Sequence, residues 1–244
     1  MRLGVLSDIH SNYFALKSVI DEAKKEGLEG YIILGDIFGY YPWAIETYNL
    51  IREIDIFKII KGNHDMIITE ENSGIETDYW KMAQENKRSL LLTCPESILW
   101  LRNLKHFYTF SINNSIECSL FHGTPDDPIN GRYYPNDKKD YNWFPNRNKI
   151  IMLGHTHYPL LKKKSNGGYI INPGSIGQPR DGITDSSWVV FDTIKVSFEF
   201  KRTKYDLLKV VKTLIKMNWD HRAIDSLQKN YKGPLNSNHS KKEN

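Results

Sequence analysis

Five of the eight histidines lie in short polar motifs that combine imidazole with carboxylate or amide side chains. The motifs are Asp8-Ile9-His10, Gly35-Asp36, Gly62-Asn63-His64-Asp65, Phe121-His122-Gly123 and Gly154-His155-Thr156-His157. Imidazole and carboxylate suit borderline divalent ions, and the motifs contain no cysteine, which argues against a structural zinc or an iron–sulfur site. The side chains therefore indicate a metal centre with nitrogen and oxygen ligands.

Two metal ions would give these motifs a specific chemistry, the hydrolysis of a phosphate ester. Such an ester carries negative charge and resists hydroxide, so its catalyst needs positive charge against the phosphoryl oxygens and a nucleophile available at neutral pH. Two ions roughly 3.5–4 Å apart supply both, by clamping the phosphoryl group and lowering the pKa of a bound water. We expect two divalent ions, Mn or Fe first, with Zn or Ni as alternatives.

The first three motifs each follow a predicted strand. Apolar runs predict strands over residues 3–6, 31–34 and 56–60, and helical spacing predicts helices between them. Strands that alternate with helices pair in parallel through right-handed crossovers. Because the carboxyl ends of parallel strands share one edge of the sheet, these three motifs should meet in one crevice.

The helices have recognisable ends. Asn12 can cap a first helix that Gly27 ends, and residues 43–53 predict a second helix. Residues 77–103 predict two helices broken at Cys94-Pro95, because proline disfavours a helical conformation in the preceding residue. The connections between the first three strands are therefore helical.

The second half of the chain is predicted to be rich in antiparallel strands. Residues 106–112 and 116–121 indicate a hairpin around Asn113-Asn114. Further strands are expected at residues 150–153, 160–163, 169–171, 188–191 and 195–200, and a helix at 207–215. From Lys232 the chain is polar, rich in lysine and predicted to be disordered, which leaves residues 1–231 as a single domain.

Composition excludes several classes of function. The 33 Lys and Arg residues and the 29 Asp and Glu residues give a net charge of only +4, which is too small to indicate nucleic-acid binding. The two cysteines, Cys94 and Cys118, form no C-x-x-C pair, which favours a reducing compartment. No room precedes Ser7-Asp8 for a signal-peptide core, and no apolar stretch approaches the roughly 20 residues of a membrane span. We expect a cytoplasmic protein.

The ordered motifs D-x-H, G-D, G-N-H-D, H and G-H-x-H resemble those of the calcineurin-like metallophosphoesterases, from Asp8 to His157. The segment 172–180 resembles the N-P-G-S-x-x-x-P-R stretch of the small bacterial and archaeal branch of predicted phosphodiesterases. The resemblance covers about residues 2–200. It implies an α/β fold, a four-layer α/β/β/α sandwich in which two mixed sheets pack together with the metals at one edge.

The resemblance also implies ligands for each metal. The first ion would be held by Asp8, His10, Asp36 and His157. The second would be held by Asp36, Asn63, His122 and His155, so that Asp36 bridges the two.

Other residues would act beside the metals. His64 would lie near the leaving-group oxygen as a proton donor or electrostatic stabiliser, with Asp65 orienting its imidazole. Arg180 could bind phosphate through its planar fork of donors, or serve as a structural ion-pair partner. The residues of segment 172–180 could equally serve only to form turns.

Residues 125–148 depart from the family pattern. They include Arg132, Tyr133, Tyr134, Tyr141, Trp143, Phe144 and Arg147. These residues could stack a base and grip a phosphate, with Arg132 as a candidate substrate contact, or the loop could pack over its own aromatic side chains.

The expected function is hydrolysis of a small phosphodiester or nucleotide by in-line attack of metal-activated water, without a covalent phosphoenzyme. Alternatives are a phosphoprotein phosphatase and a nuclease, the latter with a basic groove and salt-sensitive DNA binding. A non-catalytic binding module is a third alternative, but the retromer subunit of this fold lacks the motif histidine, whereas His64 is present here. The oligomeric state is left open.

Overall fold

The structure of the 244-residue chain is a computed structural model. It describes residues 1–69, 78–112, 115–137, 143, 149–164 and 167–229. The predicted turn at Asn113-Asn114, the predicted disordered tail from Lys232, and Tyr141, Phe144 and Arg147 of the aromatic segment lie outside these residues. The domain boundary at residue 231 stays a prediction.

The first sheet contains the strands that precede the first three motifs. Its strands are β1 (Arg2–Leu6), β2 (Gly30–Leu34), β3 (Ile56–Ile60), β9 (Ser186–Asp192) and β10 (Ser197–Thr203). Their order is β10-β9-β1-β2-β3, and β1, β2 and β3 pair in parallel as predicted. β9 and β10 are antiparallel additions at the β1 side.

The second sheet is also mixed. Its strands are β4 (Phe107–Ile112), β5 (Ile116–Phe121), β6 (Lys149–Met152), β7 (Pro159–Lys163) and β8 (Tyr169–Pro173). Their order is β4-β5-β6-β8-β7. The hairpin β4–β5 is antiparallel as predicted, and β7–β8 is a second antiparallel pair, whereas β6 pairs in parallel with β5 and β8. Because β5 and β6 run in the same direction, the motifs that follow them emerge at one edge.

The described helices include the ones that the sequence predicts and two that it does not. They are α1 (Tyr13–Ala23), α2 (Ala44–Arg52), α3 (Asn63–Thr69), α4 (Asp78–Thr93), α5 (Glu96–Asn103), α6 (Leu207–Lys216) and α7 (His221–Gln228). Asn12 caps α1 by accepting from the Ala15 amide at 3.2 Å, and Gly27 ends a following 3-10 turn with φ 63°. The break at Cys94-Pro95 is confirmed. α3 and α7 are short; α3 begins inside the Gly62-Asn63-His64-Asp65 motif, and α7 has a mostly polar sequence.

Alternation of side chains along the strands builds a core on each face of the first sheet. Leu3, Val5 and Ile32 face the second sheet, where they meet Leu120 and Met152. The next residues in the same strands face the helices, which cover the outer side of this sheet. Burying each such aliphatic side chain contributes about 1.5–3 kcal/mol. The predicted α/β sandwich of two mixed sheets is confirmed.

The outer face of the second sheet is covered differently. In the described residues, Tyr133 and Trp143 pack there against Ile151, Leu153 and Ile170. Among all the residues that the structure describes, no helix is both long enough and apolar enough to cross a membrane.

Candidate metal centre

The structure brings all seven predicted ligands to one edge of the sandwich. Four follow strands of the first sheet and three follow strands of the second: Asp8, His10, Asp36 and Asn63, then His122, His155 and His157. Six of them are buried, and Asn63 is partly buried. The ligands thus come from both sheets, and the site lies where the two sheets meet.

Asp8, His10 and His157 form the first group, whose ligand atoms all lie within 4.8 Å of one another. His157 Nε2 lies 3.2 Å from Asp8 Oδ1 and 3.1 Å from His10 Nε2. These are three of the four residues expected to hold the first ion.

Asp36, His122 and His155 form the second group, again within 4.8 Å. His122 Nε2 lies 3.3 Å from Asp36 Oδ2 and 3.0 Å from Asn63 Oδ1. Asp36 Oδ2 also lies 3.6 Å from His10 Nε2 of the first group. The Asp36 carboxylate therefore lies between the two groups, as a bridging ligand must.

His64 lies beside the first group. Its ring centroid is 4.7 Å from that of His10, and it joins His10 and Asp36 in a third set with ligand atoms within 4.8 Å. Distance alone leaves both a ligand role and a role beside the metals open to His64. Its expected place outside the ligand set stays a prediction.

Unpartnered polar atoms show that the residues fit a cation. In the described part of the chain, a buried polar atom in each group lacks a hydrogen-bond partner: Asp8 Oδ1 in the first and His155 Nε2 in the second. A buried polar atom without a partner is costly and rare. The convergence of such atoms with carboxylate oxygens matches the donor set of borderline divalent ions.

Backbone carbonyls fix the orientation of two histidine rings. His122 Nδ1 lies 2.7 Å from the Leu34 carbonyl oxygen, and His157 Nδ1 lies 2.6 Å from that of Gln178. Since a carbonyl only accepts, each Nδ1 carries the hydrogen and each Nε2 faces its group. Both rings are thereby held ready to bind a metal through Nε2.

Opposing charges shift the pKa values in the cluster. Burial alone would raise the pKa of Asp36, but the charges of His122 and His64 hold it well below its usual range. Burial opposes the charge on His122, yet Asp36 raises the pKa of that ring to about 9. Burial, together with the His122 charge, lowers the pKa of His155 to about 4. A metal ion would therefore compete with a proton for His122, so acid should weaken metal binding.

The loops that carry the ligands have unusual backbone conformations. Of the eight non-glycine residues with positive φ in the described ranges, five are predicted ligands: Asp8, His10, Asp36, His155 and His157. Such conformations cost about 1–3 kcal/mol each and cluster at functional sites. Hydrogen bonds hold two of these loops together, from the Asp8 amide to the Gly35 carbonyl at 3.1 Å and from the His10 amide to the Asp36 carbonyl at 2.9 Å.

Two motif glycines permit this close approach. Gly35 has φ 88°, and a Cβ there would lie 2.9 Å from His122 Nδ1. A Cβ at Gly62 would overlap the Asp36 carboxylate and lie 2.6 Å from the Asp36 amide nitrogen. A side chain at either position would push the loops of the site apart.

The predicted role of Asp65 needs correction. Its carboxylate accepts hydrogen bonds from the amides of Ile37 at 3.0 Å, Phe38 at 3.1 Å and Gly62 at 2.9 Å. No hydrogen bond joins it to His64, whose Nδ1 lacks a partner among the described residues. Adjacent residues of a helix do not face each other, and both lie in α3. Asp65 instead ties the loop after β2 to the loop after β3.

We therefore expect Asp65→Ala to reduce the free energy of unfolding, measured by urea denaturation. The reason is that buried amides lose their acceptor, at about 1–3 kcal/mol each. Asp192→Ala is the matched control. The Asp192 carboxylate likewise accepts from backbone amides, two in this case, but these hydrogen bonds are exposed, so water can replace the lost acceptor. Unchanged stability of Asp65→Ala together with slower turnover would instead favour the role of orienting His64.

The segment 172–180 makes hydrogen bonds to the loops that carry the predicted metal ligands, so it is more than a simple turn. Ser175 Oγ donates to the Asp8 carbonyl at 2.8 Å, and the Gly177 amide donates to the same oxygen at 3.0 Å. Asn172 Nδ2 donates to the Gly154 carbonyl at 2.7 Å. The segment thus fixes the loops of both sheets.

Arg180 ends this segment at the surface beside the site. Its Nη2 donates to Gln178 Oε1 at 2.9 Å and to the Tyr40 hydroxyl at 3.3 Å. Both partners are neutral, and no ion pair of Arg180 is found among the residues that the structure describes. The charge of the guanidinium remains available to an anion.

The aromatic segment packs over its own side chains where it is described. Tyr133 and Trp143 are buried with ring centroids 5.4 Å apart, and Trp143 Nε1 donates to Asp126 Oδ2 at 2.9 Å. Arg132 is exposed near the second group, where its charge adds to burial and the His122 charge in lowering the pKa of His155. Its role in substrate binding stays a prediction.

Asn86 is a site-supporting residue that sequence reasoning missed. Its side chain is fully buried, accepts from Ser11 Oγ at 2.5 Å and from the Gly39 amide at 3.1 Å, and donates to the Tyr41 carbonyl at 2.9 Å. These bonds attach α4 to the loops after β1 and β2. A single asparagine in a helical pattern gives no signal of such a role.

Comparison with known proteins shows similarity over most of the chain. The model of the calcineurin-like phosphoesterase superfamily domain matches residues 1–195. An uncharacterized protein of Methanocaldococcus jannaschii is 29% identical over 229 residues, 88% of this chain and 92% of that protein. The crystal structure of a metallophosphoesterase from Sphaerobacter thermophilus has a TM-score of 0.80 and 25% identity, covering 95% of this chain and 99% of that chain.

A further similarity covers less than half of the chain. A symmetrical bis(5'-nucleosyl)-tetraphosphatase from Psychromonas ingrahamii is 30% identical over 107 residues, 42% of this chain and 37% of that protein.

Proposed function

The chain belongs to the calcineurin-like phosphoesterase superfamily, and we propose that it hydrolyses a small phosphodiester or nucleotide with two divalent metal ions. The observation that carries this proposal is the pair of buried ligand groups, with Asp36 of the second group only 3.6 Å from His10 of the first. Each group contains an unpartnered polar atom that a cation would satisfy, Asp8 Oδ1 in the first and His155 Nε2 in the second.

The proposed ligand sets use the residues that the two sheets bring together. Asp8, His10, Asp36 and His157 would hold one ion, and Asp36, Asn63, His122 and His155 the other. When bound, two ions supply positive charge against the phosphoryl oxygens and lower the pKa of a water nucleophile. We propose Mn or Fe as the native metal, because the donors are imidazole, carboxylate and amide.

The proposed reaction is a direct, in-line displacement. The water oxygen forms a bond to phosphorus while the bond to the leaving-group oxygen breaks, and that oxygen keeps the electron pair. His64 would supply a proton to it as general acid. The position of His64 supports this role, because its amide donates to Asp36 Oδ1 at 2.9 Å and holds the residue against the bridging ligand.

Nucleotides are part of the proposed substrate class for two reasons. The similar protein from Psychromonas ingrahamii is named for hydrolysis of bis(5'-nucleosyl) tetraphosphates, and the site of this chain is flanked by Arg132 and Arg180. Arginine binds phosphate oxygens in a bidentate manner. A panel of a dinucleoside polyphosphate, a cyclic nucleotide, a phosphopeptide and single-stranded DNA separates this proposal from a phosphatase and a nuclease.

The metal requirement is the direct test. We expect chelation to abolish hydrolysis of bis(p-nitrophenyl) phosphate and Mn to restore it, with Zn, Ni and Mg compared in parallel. Elemental analysis should find two ions per chain in the restored protein. Full activity after exhaustive chelation, with no metal detected, would contradict the proposal.

A further inference from the structure

A cavity of about 300 Å³ opens beside His64. Its walls include Tyr40, Tyr79, Tyr158, Arg180, Ser226 and Lys229. The ring centroid of Tyr40 lies 4.8 Å from that of His64, and the ring of Tyr79 lies 5.9 Å from it. Two wall residues of the cavity thus contact the ring of His64, the proposed proton donor.

The walls combine aromatic faces with cations. Tyr40 is held by ring contacts with His10 at 4.5 Å and with Tyr79 at 5.3 Å. Arg180 is held by neutral partners, and no carboxylate lies within ion-pair distance of Arg180 or Lys229 in the part of the chain that the structure describes. Aromatic faces bind planar rings, and unpaired cations bind phosphate oxygens. Together, the aromatic faces and the cations match a ligand that carries both a planar ring and phosphate oxygens.

The outer wall of the cavity comes from the C-terminal helices. The family match ends at residue 195, whereas Ser226 and Lys229 belong to α7 and the residue after it. α6 and α7 pack against Tyr40, Tyr41 and Trp43, and Trp219 Nε1 donates to the Tyr40 carbonyl at 2.8 Å. A segment beyond the matched family domain thus shapes the space next to His64.

We propose that this cavity binds the leaving group and selects a nucleoside phosphate, which has both a planar ring and negative charge. The proposal rests on the proposed function, because it takes His64 to mark the leaving-group side. Tyr40 and Tyr79 contact the base, and Arg180 and Lys229 bind the phosphate. The reaction is the same in-line displacement as in the proposed function: the bond from phosphorus to the leaving-group oxygen breaks, and the electron pair stays on the oxygen of the departing nucleoside phosphate.

The test compares substrates that differ in ring or in charge, using the full Mn-loaded chain. Diadenosine tetraphosphate offers a leaving group with both features, bis(p-nitrophenyl) phosphate offers the ring without the charge, and inorganic tripolyphosphate offers the charge without the ring. Lys229→Gln should lower the ratio of kcat/KM for diadenosine tetraphosphate to that for bis(p-nitrophenyl) phosphate by about tenfold or more. Tyr79→Leu should lower the ratio for diadenosine tetraphosphate to that for tripolyphosphate by a similar factor.

Lys216→Gln is the matched control, because Lys216 is an exposed residue at the end of α6 and does not line the cavity. It should leave both ratios unchanged. Both test residues are exposed, Tyr79 at 48%, so the variants should fold, which thermal denaturation can check.

The outcomes separate this inference from the proposed function. Metal-dependent hydrolysis of bis(p-nitrophenyl) phosphate with both ratios unchanged in the variants would overturn the inference alone. Faster hydrolysis of a phosphotyrosine peptide than of diadenosine tetraphosphate would also overturn the choice of a nucleoside phosphate. Failure of the wild-type chain to hydrolyse any of these substrates with any metal would overturn the proposed function itself.

Discussion

Asp36→Asn should lose both metal ions and reduce kcat by at least about 10²–10³-fold, the usual effect of removing a group that stabilises developing charge. Asp36 Oδ2 lies 3.6 Å from His10 Nε2 and 3.3 Å from His122 Nε2, so one carboxylate serves both groups. An amide is neutral and offers a single oxygen. Elemental analysis and calorimetric titration with Mn would measure the loss.

The substitution is nearly isosteric, so the fold should survive. In the wild-type chain the backbone amide of His64 donates to Asp36 Oδ1 at 2.9 Å, and the side-chain oxygen of the asparagine can still accept this hydrogen bond. Asp55→Asn, at an exposed position just before β3, removes the same charge away from the site and should bind two ions normally. If Asp36→Asn also bound two ions with unchanged affinity, the ligand assignment would be wrong.

His64→Ala should keep both metal ions while losing about 10²–10⁴-fold in kcat, the usual contribution of a general acid. His64 lies between Asn63, a proposed ligand, and Asp65, whose carboxylate binds backbone amides. Its ring contacts Tyr40 and Tyr79, which line the cavity. Steady-state kinetics with metal analysis of the same samples would test the expectation.

Leaving-group dependence separates proton transfer from other roles of His64. An ester that releases p-nitrophenolate needs little protonation, so the defect of His64→Ala should be small with it and large with alkoxide leaving groups. An equal defect with all esters would instead indicate electrostatic stabilisation of the phosphoryl oxygens. An empty metal site in His64→Ala would make His64 a ligand, as its place in the third group of ligand atoms permits.

Much of the edge that carries the site could be predicted from sequence because the ligands follow apolar strands. The runs before Asp8, Asp36 and Asn63 form β1, β2 and β3, and these strands pair in parallel. Parallel pairing places their carboxyl ends together, whatever the details of the connections. Local sequence therefore contained the information that brings the motifs of the first sheet to one edge.

Contacts made by single side chains could not be predicted in the same way. Asp65 follows His64 in sequence, but α3 begins inside the motif and directs the two side chains apart. Asn86 and Ser175 reach loops that are distant in the chain, and most of their partners are backbone atoms, which no sequence pattern displays. The cavity beside His64 likewise depends on α7, a short helix that the sequence did not predict.

The division of the proposed ligands between two sheets links metal content to the mechanics of the whole sandwich. Four ligands follow strands of the first sheet and three follow strands of the second, and the core between the two sheets is apolar. Ions held by ligands from both sheets would link the sheets at this edge, because a shift of one sheet against the other would stretch metal–ligand bonds. Metal scarcity would then loosen the two halves against each other before either half lost its own strands.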